Sequence, residues 1–121
     1  MRTENLIILG TTLLLSVSLA GCNESTAAKG NSKVFKRSGA VQCQADSGTP
    51  LDDMQMELVN ASIDVVCAQL GNDGNVYPAV CGAQGGVINV YEIRTVNLED
   101  AEGLGFASVM TLPEYVDQIC E

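Results

Sequence analysis

Residues 87–105 read VINVYEIRTVNLEDAEGLG, and they hold both periodicities from which a fold can be assembled. Val87 to Ile93 alternates and is rich in β-branched and aromatic residues, the strongest strand signal in the chain. Asn97 then stands where a helix N-cap belongs, with Glu99 and Asp100 in the first turn after it. Gly105 supplies the residue that ends such a helix. The stretch is a strand feeding a short helix.

Outward from it the same alternation recurs. Thr49-Pro50-Leu51-Asp52 is a helix start, with Thr49 as N-cap and Pro50 in the first position. Leu51, Met54, Leu58 and Ala61 fall on one helical face, with Asp53 and Glu57 elsewhere. Ile63 to Ala68 is β-branched and alternating, hence a strand, and Gly71-Asn72-Asp73-Gly74-Asn75 is a turn. Phe106 to Leu112 makes a last strand, stopped by Pro113, and Ala40 to Gln44 a short first one. The order is β-α-β-β-α-β. The expected fold is therefore α+β, a small two-layer sandwich with two helices on one face of a four-stranded antiparallel sheet, the split βαβ or ferredoxin-like arrangement. A looser cysteine-stapled α+β fold, its first strand merely an extended segment, is the alternative.

A chain of 121 residues allows one domain. It contains no histidine, which removes Ser-His-Asp and Cys-His nucleophilic sites and any imidazole metal ligand. A net charge of −9 argues against nucleic acid as a partner. The charge is also segregated. Residues 23–42 hold Lys29, Lys33, Lys36 and Arg37 against Glu24 alone, whereas residues 43–121 hold Arg94 against thirteen acids, a net of −12. Such crowding predicts carboxylate pKa values raised by folding, and stability that falls as pH rises towards neutral.

The first 22 residues read as an address. Leu6 to Ala20 is an uncharged run of 15 residues, short of the ~20 that span a bilayer as a helix, and it suits a secretory signal peptide. It closes with Leu19-Ala20-Gly21-Cys22, which resembles the lipobox of bacterial lipoprotein precursors at all four positions. The resemblance implies a diacylglyceryl group on the Cys22 sulfur, cleavage between Gly21 and Cys22, and usually a third acyl chain on the new amino group. With Asn23 rather than aspartate next, it also implies the outer membrane, facing the periplasm, rather than the inner one. Two or three acyl chains make attachment effectively permanent. The expected organisation is a cleaved signal peptide (1–21), a lipidated flexible tether (22–39) and an acidic disulfide-stapled domain (40–121).

Cys43, Cys67, Cys81 and Cys120 remain in the exported chain, an even number that favours two disulfides. Cys67 and Cys81 are symmetric about Gly74, so a turn there would pair them and leave Cys43 with Cys120. Their spacing matches neither a redox C-x-x-C nor a zinc site. Asn72-Asp73-Gly74-Asn75 lacks the alternating oxygen ligands and closing glutamate of a calcium loop. No cofactor, metal site or catalytic residue is expected. Asn89, Tyr91 and Arg94, on or beside one strand, are candidates for a small polar surface.

The expected function is that of a membrane-anchored envelope lipoprotein with a non-enzymatic binding or interaction domain, its partner a protein or a small cation. The alternative is an acidic-surface protein that binds divalent cations or cationic ligands. Intact mass of the membrane form should show acyl chains on a chain that starts at Cys22, and Cys22→Ser should release the protein from membranes. A soluble product with another N-terminus would overturn the lipoprotein assignment.

Overall fold

The structure is a computed structural model that describes residues 29–120, so Cys22 and the apolar run before it lie outside the described residues. The elements are β1 (Asn31–Arg37), α1 (Leu51–Asn60), β2 (Val65–Asn72), β3 (Val87–Arg94), α2 (Leu98–Gly103) and β4 (Ala107–Ser108), with 3-10 turns at Thr95–Asn97 and Val109–Thr111. The strands form one antiparallel sheet in the order β2-β3-β1-β4. β3 is buried on both faces because it lies inside the sheet and its alternation supplies apolar residues in both directions. Tyr91 and Ile93 point to the helices and join Val34, Met54, Leu58, Ile63, Ala101 and Phe106 in the core. Ile88 and Val90 point to the other face and are equally buried.

The C-terminal segment covers that second face. Lys33 Nζ donates to Asp117 Oδ1 (2.6 Å) and to the Gln118 carbonyl, and Cys120 is bonded to Cys67. Gly74 (φ +83°) lies directly against Glu114, where an added Cβ would fall 1.9 Å from the backbone oxygen. Only glycine fits there.

Three expectations require correction. The first strand is not at 40–44, where Val41 makes only an isolated bridge with Gln84. It is Asn31–Arg37, inside the stretch expected to be tether, and it occupies an interior sheet position. NSKVFKR reads as spacer because its cations look unopposed locally. Their partners are far along the chain: Lys33 pairs with Asp117, Lys36 with Glu57 (2.6 Å) and Arg37 with Asp73 (2.8 Å). Second, the last strand shrinks to Ala107–Ser108, since the chain turns into a 3-10 helix at Val109. Third, the disulfides are Cys43–Cys81 and Cys67–Cys120, not Cys67–Cys81 and Cys43–Cys120. β2 stays paired with β3 as far as Asn72↔Val87, so the β2–β3 connection is 73–86 and is not centred on Gly74. Cys67 faces Glu92 within the ladder, while Cys81 lies out in the connection.

A chain beginning at residue 38 should therefore show no cooperative thermal transition, because it lacks the strand that supplies Val34 and joins β3 to β4. A chain beginning at residue 29 should melt cooperatively. Non-reducing peptide mapping should recover Cys43–Cys81 and Cys67–Cys120. A cooperative melt for 38–121, or a Cys67–Cys81 peptide, would contradict this architecture.

Candidate functional site

α1 begins at Leu51 and does not reach the end of the sheet where β1 stops and β3 starts. There the helix-facing side of the sheet is open, and a cavity of about 920 Å³ lies on it. Its floor is Leu70, Val87 and Asn89, and its wall is the connection between β1 and α1. That wall is a built loop. The Ser38 carbonyl accepts from the Thr49 N–H (2.7 Å), and Ser47 Oγ accepts from the Val41 N–H (2.8 Å) while donating to the Gln44 carbonyl (2.7 Å). Gly48 (φ +88°) passes so near Ala40 that a Cβ would stand 2.7 Å from its backbone nitrogen. Gln42 and the Cys43–Cys81 bond fasten the loop to the β2–β3 connection. Gln42 Nε2 donates to the Pro78 carbonyl (2.9 Å), and its Oε1 accepts from the Val80 N–H (3.1 Å).

Asn89 is the unusual residue of this site. It is fully buried, and its Nδ2 donates to the Thr49 carbonyl (3.1 Å) and to Met54 Sδ (3.4 Å). A carbonyl can only accept, so the orientation of the amide is fixed. Asn89 Oδ1 is left without a donor, and among the described residues no other buried side-chain polar atom is. A buried acceptor in that state costs ~1–3 kcal/mol. Next to it, the Tyr91 hydroxyl donates to the Leu51 carbonyl (2.6 Å). Burial pushes its pKa up to about 12, with the neighbouring Asn89 amide opposing the shift and the Glu57 and Asp52 carboxylates adding to it. Tyr91 thus remains a neutral donor across the physiological range. Among the described residues Asp46 is the only charged side chain that lines the cavity, and no three His, Cys, Asp or Glu side chains gather anywhere to hold a metal ion.

A second polar cluster lies on the opposite face. Asp73, 1% exposed, accepts from Arg37 Nη1 (2.8 Å), the Tyr77 hydroxyl (2.5 Å) and the Asn75 N–H (2.9 Å). Burial alone would raise its pKa, but the hydrogen bonds from Tyr77, Asn75 and Arg37 together hold it below the usual carboxylate range. The same bond to Asp73 raises Arg37. The expected turn at Asn72–Asn75 is thus closed by its own side chains, with both Asp73 oxygens already engaged. Asp117 is also lowered, first by its bond to Lys33.

The four expected disulfide cysteines are all bonded, and one of the bonds borders the cavity. Asn89, Tyr91 and Arg94 do not form one surface: Asn89 and Tyr91 are buried towards the helices, while Arg94 is exposed at the far end of β3 and has the opposite parity. The cavity wall, residues 38–50, carries no motif, and its shape comes from hydrogen bonds that the sequence does not signal. No protein-family model matches the chain, and comparison with the curated proteins and with solved structures returns no match.

Asp73 and Asp117 move down, opposite in direction to the effect of crowding. A lowered folded pKa stabilises above the unfolded value, ~3.9 for aspartate, and that stabilisation is lost as pH falls through the folded value. Asp73→Asn should therefore cost about 2 kcal/mol at pH 7 through loss of charge-assisted hydrogen bonds. The difference from wild type should narrow as pH falls below the carboxylate range. Urea melts at pH 7 and pH 3 measure both. An equal deficit at both pH values would show that the charge contributes nothing.

Proposed function

We propose that the protein is an envelope lipoprotein, held to the membrane through an acylated Cys22, whose domain binds a ligand without transforming it. The cavity carries this reading, because a recess walled by a built loop over the apolar floor of Leu70 and Val87 has the form of a binding site. Two of the three hydroxyls of its lining also support binding over chemistry. Ser47 Oγ is committed to the loop backbone, and Ser38 Oγ accepts from the Ala40 N–H (3.2 Å). The strand order and the shared core of both helices support the ferredoxin-like arrangement as the full description of the fold.

The tether and the cavity fit one another in this proposal. With β1 starting at Asn31, only residues 23–30 separate Cys22 from the sheet, a reach of roughly 28 Å at full extension. β1 enters at the end of the sheet marked by Asn31↔Arg94, and the cavity lies at the other end, beyond Arg37↔Ile88. Six strand steps put roughly 20 Å between those ends. A domain anchored this way turns its cavity away from the membrane, towards the aqueous compartment. Asn23 favours the outer membrane, with the domain in the periplasm.

The soluble chain 29–121, incubated with the small-molecule extract of envelopes, should carry one bound mass in native mass spectrometry, and denaturation should release that molecule unchanged. Val87→Trp, at a strand end on the cavity floor, should abolish the bound mass without lowering the melting temperature by more than a few degrees. A bound mass that survives Val87→Trp would place binding elsewhere. A released molecule altered from the one taken up would replace binding with catalysis.

A further inference from the structure

We infer that the free edge of β2 is a docking site for an extended, cationic peptide segment of another protein, which adds to the sheet as a further strand beside Ala68, Leu70 and Asn72. The site goes beyond the small-molecule reading of the cavity and does not depend on it, although Leu70 borders both.

The direction of the backbone groups follows from two printed contacts of the ladder's ends. β2 is the outermost strand on its side of the sheet, with β3 its neighbour. The Asp73 N–H donates to the Gly86 carbonyl (2.9 Å) just beyond the last ladder pair. Bonded and non-bonded pairs alternate along antiparallel strands, so Gly71↔Ile88 and Gln69↔Val90 are bonded, whereas Leu70↔Asn89 and Ala68↔Tyr91 are not. The bond from the Thr95 N–H to the Gly30 carbonyl (2.9 Å) agrees, because it turns the odd-numbered residues of β3 towards β1. Ala68, Leu70 and Asn72 therefore direct N–H and C=O away from β3, to the open side. Among the described residues no backbone hydrogen bond meets them there. The C-terminal segment reaches β2 through the Gln69 side chain and Cys67, not through this edge.

Only another extended backbone can meet such a row of groups. Exposed edges are normally blunted by charge or proline, and VVCAQLGN contains neither. A bulge between Val65 and Cys67 confines the regular edge to residues 67–72. The other edge strand, β4, has two residues before the chain leaves the sheet. Ala68 and Leu70 point to the helix side, Leu70 60% exposed, so every second residue of an added strand lies beside an apolar side chain. Charge selects the occupant. Residues 38–93 supply β2, the helix α1 packed on it and the connections around them, and they hold seven acids without one Lys or Arg. Of these acids only Glu57 and Asp73 are paired with a cation among the described residues. Two copies joined edge to edge would set these anionic flanks against each other, whereas a strand bearing Lys or Arg is attracted by them.

The probe is the capped heptapeptide KVKVKVK, titrated into ¹⁵N-labelled 29–121, which holds every element of the fold, at pH 7 and 0.05 M salt. It should bind saturably and slow hydrogen exchange at the Ala68 and Leu70 amides far more than at Gln69 and Gly71, which are already bonded to β3. The acidic counterpart EVEVEVE should bind at least about tenfold more weakly. Methylating the backbone nitrogens of alternate peptide residues should abolish binding for one set, lysines or valines, and spare it for the other, because only one set faces β2. Leu70→Pro removes an outward donor without taking a bond from the β2–β3 ladder, and it should weaken the peptide about tenfold or more. Should that variant fail to fold, the methylated peptides carry the same test on the wild-type chain. Binding that survives methylation of either set, or that protects no β2 amide, would overturn the inference, as would the absence of saturable binding. EVEVEVE binding as tightly as KVKVKVK would overturn it too. So would a concentration-dependent dimer that protects Ala68 and Leu70 without peptide, since the edge would then belong to a second copy. The native mass measurement with envelope extract reads the cavity and not the edge, so the two readings fail separately.

Discussion

From Asn31↔Arg94 to Arg37↔Ile88, β1 and β3 share an unbroken seven-residue antiparallel ladder, and every other element is attached to it directly or through one neighbour. β2 joins on the β3 side and β4 on the β1 side. The register is set by Val34, which must face the helices beside Tyr91, and a slip by one residue would put Lys33 or Phe35 into the core instead. The three cations of β1 then reach acids in three different places. Lys36 bonds Glu57 of α1 and the carbonyl of Leu104 after α2, with its ammonium 4.8 Å from the centre of the Phe106 ring. Exposed pairs of this kind contribute ~0–1 kcal/mol. Arg37 with the buried Asp73 carboxylate is the exception, since an unpaired charge there would be costly. The segregation of basic and acidic residues along the chain is thus undone in the fold, where the basic strand lies among the acids.

The cavity follows from a mismatch of lengths. α1 has ten residues and so spans about 15 Å, whereas the eight residues of β3 span about 27 Å. α2, with six residues, covers less still. Two short helices cannot shield the whole helix-facing side of the sheet. The uncovered end exposes Leu70 and Val87, and the connection between β1 and α1 walls it in rather than filling it. Asn89 sits where covered sheet gives way to cavity, which explains how it can be fully buried and still lack a partner for one atom.

The disulfides compensate for what secondary structure leaves loose. The β1–α1 connection and the β2–β3 connection have few ladder bonds of their own, and Cys43–Cys81 ties one to the other across 38 residues of sequence. Cys67–Cys120, spanning 53 residues, fixes the C-terminal segment over Ile88 and Val90. In the chain-entropy account closures of these lengths contribute about 4 kcal/mol each. That is a large share of the stability of a domain this small.

Local pattern alone determined several things about this protein. The alternation of 87–93 marked β3, the apolar spacing of Leu51, Met54 and Leu58 marked α1, and an even number of cysteines marked two disulfides. These are properties of neighbours in the chain, since periodicity is a statement about which side of one element is buried. Tertiary structure alone decided which seven residues form the first strand, which cysteines meet, and that Asn89 borders a cavity. Asn31–Arg37 is recognisable as a strand only beside Asp73, Glu57 and Asp117, which neutralise its cations from 21 to 84 residues away. The cysteine pairing depended on how far β2 runs along β3, and the register of two strands is not encoded in either one. The cavity depended on where α1 ends relative to the sheet, a relation between layers that no single segment of sequence contains.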